Sequence, residues 1–380
     1  MKKIFLLLIG FGFTYLSNSQ TVDPVNLQHF YVGTYTDHGS EGIYRFGLDT
    51  NTGKLHSNGL AVLSENPSFL ALTSDKKFLL AVRETKDEKN QSMGYVELFA
   101  VDESGNLSSV NKVASGGAHP CHVTVNEEGM VLASNYTGGS IALMRIDPSG
   151  ELSEVLSVYQ HKGSGPVVGR QETPHVHSAI FEPKGKRIFV ADLGIDRVKV
   201  YTIDPTALVL KPFKYPEIKL APGSGPRHMV IHPNGKLLYI ANELGCSVIV
   251  VQLLNNGSYK VLETVSTLPA DYKKSAAPAD IHLSPDAKFL YVSNRGMNSI
   301  AIFAVDEKGS KIKLIGHEDT RGETPRNFTL TPDGTFLLVA NQNTNNIVAF
   351  RRNSETGMLT FTDQINAYKP VCLLFSHTNQ

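Results

Sequence analysis

The stretch from Pro226 to Leu244 reads PRHMVIHPNGKLLYIANEL. It holds a short alternating segment around Met229 and Ile231, a Pro-Asn-Gly-Lys turn, a second apolar segment from Leu237 to Ala241, and a polar anchor at Asn242. Pro-Asn-Gly presets the dihedrals of a tight reversal, and alternation on either side has the two-residue period of a strand, so the stretch predicts a β-hairpin. The pattern recurs as PSFLALTSDKKFLLAVRE from Pro67, PCHVTVNEEGMVLASNY from Pro120, VHSAIFEPKGKRIFVADLG from Val176, PADIHLSPDAKFLYVSNRG from Pro278 and PRNFTLTPDGTFLLVANQN from Pro325. The anchors Asn135, Asp192, Asn242, Asn294 and Asn341 follow one another at intervals of about 50 residues. After them come a third strand (SVIVVQL, SIAIFAV, NIVAFRR), a glycine-containing turn and a fourth strand. Four short strands per period of about 50 make a propeller blade, and no long window carries helical periodicity.

The two ends of the chain complete the count. Pro370 to Phe375 supplies only a first strand, whereas Phe30 to Tyr35 looks like a second strand with Thr34 at the anchor position, followed by IYRFGLD and KLHSNGL. The expected fold is therefore all-β, a seven-bladed β-propeller whose ring is closed by pairing of N- and C-terminal strands in one blade. Closure hides sheet edges that would otherwise aggregate. Residues 20–380 are expected to form this single domain. The absence of Trp argues against a WD-repeat scaffold.

Composition narrows the function. The 380 residues carry 36 Lys+Arg against 36 Asp+Glu, which excludes a generic polyanion binder and leaves no reason to expect a nucleic-acid partner. With 41% hydrophobic and 19% charged residues, the chain is not of disordered type. Lys2 and Lys3 precede an apolar run from Ile4 to Leu16, and Ser17-Asn18-Ser19 follows. This reads as a signal peptide over residues 1–19, cut before Gln20, so a periplasmic or secreted protein free of the membrane after cleavage is expected. The three cysteines, Cys121, Cys246 and Cys372, match no zinc spacing and cannot all pair, so they read as small buried hydrophobes.

Aligned copies place polar columns at one end of the ring. The start of the first strand carries Ser68, Cys121, His177, Arg227, Ala279 and Arg326; beside it lie His122, Ser178, His228, Asp280 and Asn327; after the anchor come Glu84, Tyr136, Glu243, Arg295 and Gln342. Two apolar columns, Leu70, Val123, Ala179, Met229, Ile281 and Phe328, then Leu72, Val125, Phe181, Ile231, Leu283 and Leu330, are expected to pack between blades. Arginines, histidines and Glu243 thus converge on the channel mouth, while the opposite turns hold ordinary Asp, Asn, Gly and Lys. Such a mouth fits a small anionic ligand, since arginine forks recognise carboxylate and phosphate.

Plainer roles stand beside these. The anchors tie the bend after the second strand. His232 and His282 read as packing residues, Arg295 as a surface salt-bridge partner or a site residue, and Glu243 as the ion-pair partner of Arg227 or a catalytic acid. His119 and His122 line a polar interior or orient a ligand. His175 and His177 would be half of a metal site, but no third ligand is evident. No nucleophile elbow, phosphate loop or dinucleotide fingerprint occurs in usable context, so no cofactor is expected.

Seven strings in order along the chain, His119-Pro-Cys-His122, Asn135-Tyr136-Thr-Gly-Gly139, Arg170-Gln-Glu172-Thr-Pro-His175-Val-His177, Gly225-Pro-Arg227-His228-Met229, Asn242-Glu243-Leu244, Ser293-Asn294-Arg295-Gly296 and Thr324-Pro-Arg326-Asn327, resemble the seven-bladed propeller lactonase family. That family includes bacterial propeller-type 6-phosphogluconolactonase and fungal carboxymuconate lactonizing enzyme, and the resemblance spans about Tyr31 to Phe375. It implies a metal-free site in which His177 (or His175), Arg227 and Glu243 are catalytic, with Arg326 beside them. The phosphorylated lactone is made in the cytoplasm, whereas this chain carries an export signal.

The expected activity is hydrolysis of a small anionic sugar-acid lactone by a monomer. His177 or Glu243 would serve as general base, Arg227 as oxyanion or anion partner, and Arg295 and Arg326 as a clamp. His119, His122, Tyr136, His175 and His228 complete the substrate-binding set. Arg227→Ala is expected to cut turnover with little loss of stability. The alternatives are cyclisation of an unsaturated dicarboxylate and a secreted propeller that only binds a ligand.

Overall fold

Side chains close the tight turns between the first and second strands of several blades. In the Pro-Asn-Gly turn, Asn234 Oδ1 accepts from Lys236 N at 2.9 Å, and Gly235 takes a left-handed φ of +69°. Asp286 and Asp333 accept from Lys288 N and Thr335 N in the same way. Asn and Asp are favoured here because their short side chains mimic a backbone turn.

The computed structural model describes residues 26–37, 39–85, 93–183 and 185–376, so the expected signal peptide lies outside the described residues. The strands form seven four-stranded antiparallel sheets. Six follow one another along the chain, each with its strands in sequence order. In the fourth of these, for example, Pro226–Ile231, Leu237–Asn242, Ser247–Leu253 and Tyr259–Ser266 pair in succession. The seventh sheet joins the ends: Pro370–Phe375 pairs with Leu27–Thr34, with Phe30 opposite Phe375 and Gly33 opposite Cys372, and Gly42–Asp49 and Leu55–Leu63 complete it. The ring closes as the sequence predicts.

Apolar packing lies between blades. Seven clusters of buried residues occupy the seven interfaces. Leu70, Val123, Ala179, Met229, Ile281 and Phe328, the first apolar column, each enter a different cluster, and Leu373 of the closing blade enters the remaining one. The second column packs against the same clusters as partly buried residues. Three second-strand tyrosines add a polar stitch: Tyr31, Tyr239 and Tyr291 donate their hydroxyls to the carbonyls of Gly105, Gly309 and Gly357 in the next blade. The anchors fasten the inter-blade connections, with Asn135, Asn294 and Asn341 donating to the carbonyls of Ser115, Thr267 and Thr320 at 2.8–3.0 Å.

First strands touch one another around the axis. Five of them slip register near their start, between Pro120 and His122, Val176 and Ser178, Pro226 and Met229, Pro278 and Ile281, and Pro325 and Asn327. A regular strand would turn alternate residues away, but a bulge re-aims a side chain. Both polar columns therefore make contacts at the axis, and they bond blade to blade. Ser178 donates to Arg227 O at 2.6 Å, His228 to Asp280 at 2.7 Å, Asn327 to Asp280 at 2.5 Å, and Leu373 N to Asn327 Oδ1 at 2.7 Å.

Deleting residues 370–380 should remove the inner strand of the closing blade, with buried Val371, Cys372 and Leu373. Burial of these side chains is worth roughly 5 kcal/mol or more. Thermal unfolding should show a large fall in midpoint, whereas deletion of 377–380 alone should leave it near that of the full chain. Equal midpoints for the two truncations would contradict ring closure as the source of stability.

Candidate active site

Glu243 follows the anchor Asn242 and is 5% exposed. Its Oε2 accepts from Arg227 Nε at 3.0 Å and lies 2.7 Å from Arg295 Nη2; its Oε1 meets Arg170 Nη2 at 2.5 Å. The Arg295 contact is a charge pairing without a linear N–H···O bond. Burial alone would raise the carboxyl's pKa, but the guanidinium groups of Arg295, Arg227 and Arg170 pull it down to about 2. The carboxylate is thus ionised, and its lone pairs are committed.

Arg227 is held on several sides. It is 2% exposed, and its Nη1 donates to Ala279 O and, at 3.2 Å, to His228 Nε2. Burial, with repulsion from Arg295 and Arg326, lowers its pKa to about 10, which leaves it charged near neutrality. His228 Nδ1 donates to Asp280 Oδ1, so its Nε2 must accept, and the ring is neutral. Burial and the Arg227 charge lower its pKa to about 4. Asp280 also accepts from Asn327 and from His282 Nε2 at 2.9 Å. Burial opposes its charge, but His282 and His228 outweigh that and hold its pKa well below the usual range. An Asp280–His228–Arg227–Glu243 chain thus fixes the orientation of Arg227. Its Nη2 carries no hydrogen bond among the described residues, and Arg227 lines a small axial pocket with Ser68, Cys121, His228 and Arg326.

His177 stands beside this pocket, 4% exposed, with its ring edge-on to Tyr136 at 5.3 Å and to His228 at 5.4 Å. Burial and the Arg227 charge push its pKa well below 6.5, so it is neutral. Its Nδ1 lies 3.7 Å from Cys121 Sγ, and its Nε2 has no hydrogen-bond partner among the described residues. Burial raises the Cys121 pKa, keeping the thiol protonated. On the far side Arg326 Nη2 donates to Tyr35 Oη at 2.9 Å; Tyr35 Oη donates to Glu84 Oε2 at 2.9 Å, and Ser68 donates to the same oxygen. Arg170, Arg227, Arg295 and Arg326 thus gather at the mouth with the carboxylates of Glu243, Glu84 and Asp280.

The structure brings His177, Arg227, Glu243, Tyr136, His228, Arg295 and Arg326 together. His175 is a second layer: its ring stacks on Tyr136 at 4.5 Å and its Nδ1 donates to Tyr136 O. His122 is deeper, its ring tilted against Phe69 at 4.3 Å, with its Nδ1 unpartnered. His119 is at the rim, bonded to Thr137 Oγ1. Arg295 is not a surface ion pair: it is largely buried against Glu243. His282 does more than pack, since it pairs with Asp280 as well as meeting Phe328 edge-on. Cys121 is not only a core residue, because it lines the axial pocket. Sequence reasoning left out Arg170, Tyr35 and Asp280 as site residues. Tyr35 was findable, because it follows the anchor Thr34 in the same column as Tyr136 and Glu243. Arg170 sits in an inter-blade loop, outside the repeat frame.

Among the described residues, no group of three or more His, Cys, Asp or Glu side chains could hold a metal ion. The profile described as lactonase, 7-bladed beta-propeller, matches residues 29–375. The chain belongs to this lactonase family. It is 41% identical over 342 residues to a 6-phosphogluconolactonase of Formosa agariphila, covering 87% of this chain and 94% of that one. It is 35% identical over 351 residues to the 6-phosphogluconolactonase of Bacillus subtilis, covering 91% and 98%. A solved periplasmic gluconolactonase of Pseudomonas aeruginosa matches with a TM-score of 0.87 at 30% identity, covering 92% and 99%.

The neutral histidines of this lactonase-family mouth fix a pH dependence. A histidine whose folded pKa is depressed binds fewer protons in the folded than in the unfolded state, so stability falls as pH drops from the unfolded pKa towards the folded one. His228, at about 4 in the fold, should therefore cost stability between about pH 6.5 and 4, with His122 and His177 adding in the same direction. Glu243 adds a further loss as pH falls from its ordinary value of 4.5 towards about 2. Denaturant unfolding across pH 8 to 4 checks this; a flat profile above pH 4.5 would contradict neutral buried imidazoles.

Proposed function

We propose that this chain is an exported, metal-independent hydrolase of sugar-acid lactones, with 6-phosphogluconolactone or an unphosphorylated relative as substrate. The observation that carries the reading is a buried neutral imidazole, His177, packed edge-on against His228 and close to the charge of Arg227, next to the pocket that Arg227, His228 and Cys121 line. Water attacks the lactone carbonyl while His177 Nε2 accepts its proton. The negative charge that develops on the carbonyl oxygen meets Arg227 Nη2, held in place before the reaction. Collapse of the tetrahedral intermediate breaks the ring C–O bond, and His177 returns the proton to the departing ring oxygen. The product is an open-chain aldonate, whose new carboxylate remains beside the arginines.

Glu243 takes the supporting part. With its pKa near 2 and guanidinium groups on both oxygens, it is a poor proton acceptor, and its charge keeps Arg227, Arg295 and Arg170 pointed at one place. Lys2, Lys3 and the apolar run after them support export, and the Pseudomonas aeruginosa relative is described as periplasmic.

The test is a pH-stat assay of mature protein on glucono-δ-lactone and freshly made 6-phosphogluconolactone, with chelator present. Turnover should survive the chelator, and its acidic limb should lie below pH 6.5, since the His177 pKa is depressed. His177→Gln should lower kcat by roughly 10²–10⁴-fold with a melting temperature close to that of the parent. Absence of turnover on both lactones, or full activity in the variant, would sink the proposal. Arg227→Ala is a poorer probe than the sequence implies: removing one partner of a buried charge network costs about 3–5 kcal/mol, so activity and stability should fall together.

A further inference from the structure

Arg170 differs from the other arginines of the mouth. Arg227 starts the first strand Pro226–Ile231, Arg295 ends the second strand Phe289–Arg295, and Arg326 lies in the first strand Pro325–Leu330. Arg170 instead sits in the connection between Ser157–Gln160 and Val176–Phe181. Its side chain is 40% exposed, against 2% for Arg227 and 17% for Arg295. Arg227 and Arg295 are also tied to the carbonyls of Ala279 and Ala277, whereas among the described residues the guanidinium of Arg170 engages Glu243 Oε1 and the neighbouring Tyr136.

The backbone beneath Arg170 is pinned. Gln171 is fully buried; its Nε2 donates to Leu193 O at 2.7 Å and to Asp196 Oδ1 at 2.8 Å, and its Oε1 accepts from Val167 N. The Asp196 carboxylate also accepts from Gly223 N and Gly225 N, in the connection that leads to Arg227. The backbone therefore stays fixed, while a long and partly solvated side chain can exchange partners.

We infer that Arg170 is the specificity-determining residue for the charge of the substrate: it rests on Glu243 Oε1 in the free protein and transfers its guanidinium to the anionic group, phosphate or carboxylate, of an incoming lactone. Glu243 keeps Arg227 and Arg295 on its other oxygen, so the carboxylate remains neutralised after the exchange. A guanidinium suits this step because it can swap one carboxylate for another oxyanion with two parallel donors. An uncharged lactone offers no such partner. The inference rests on the lactonase reading for its substrate, but the anion-binding step is testable without turnover.

The experiment compares the full mature chain with Arg170→Gln and Arg170→Lys. The ratio of kcat/KM for 6-phosphogluconolactone over glucono-δ-lactone should fall about tenfold or more in Arg170→Gln, through KM rather than kcat, and Arg170→Lys should restore part of it. Calorimetric titration with inorganic phosphate should show a matching rise in Kd. Equal losses on the two lactones would make Arg170 a merely structural residue and overturn the inference while leaving lactone hydrolysis intact. If the parent protein hydrolyses neither lactone, the proposed function fails and the phosphate titration decides alone. Weaker phosphate binding in Arg170→Gln then supports the exchange, and equal or undetectable binding in parent and variant overturns it.

Discussion

Glu243 draws together arginines from three separate parts of the chain, an inter-blade connection, a first strand and the end of a second strand, and removes itself from water in doing so. A buried carboxylate is costly unless it is paired and hydrogen-bonded, and buried guanidinium groups are costly without a carboxylate. Each therefore requires the other. The mutual constraint ties three parts of the chain together at the mouth, beside the pocket that Arg227 lines. Pre-orientation of this kind costs stability and supplies fixed charge where a reaction would develop it.

Apolar packing supplies the frame on which that constraint acts. The seven interface clusters are alike in construction, each taking one residue from the first apolar column or its equivalent Leu373. The axis, by contrast, is polar, and its blades differ: Ser178, His228, Asp280 and Asn327 stand in equivalent positions and bond in a chain rather than repeating one contact. Asp280 is the hub, since it settles the tautomer of His228 and through it the orientation of Arg227. A repeat fold is thereby specialised at its centre while its interfaces stay uniform.

Much of this was legible in the sequence. Turn chemistry, strand alternation and the anchors gave blade count, closure and interface columns, because all three are local and repeated. The site columns were legible for the same reason: Arg227 and Glu243 do meet, and His177 packs against His228 and Tyr136 beside them. Arg170 was missed because its place depends on Gln171 and Asp196, contacts that have no counterpart in other blades. The surroundings of His177 and Glu243 could not be read from sequence, because they depend on burial and on arginines that arrive from other blades. The burial of Arg227 was likewise out of reach of the sequence, and it argues against the expectation that this residue could be removed cheaply.

On the proposed reading, the arginine-lined mouth holds a lactone carbonyl between the guanidinium of Arg227 and the imidazole of His177. A structure of the mature protein with 6-phosphogluconate, the hydrolysis product, tests it most directly. The account predicts the new carboxylate at the mouth, with one oxygen about 3 Å from Arg227 Nη2 and another within hydrogen-bond reach of His177 Nε2. A product bound at the outer rim between blades, or at the mouth with its carboxylate turned away from His177, would contradict it.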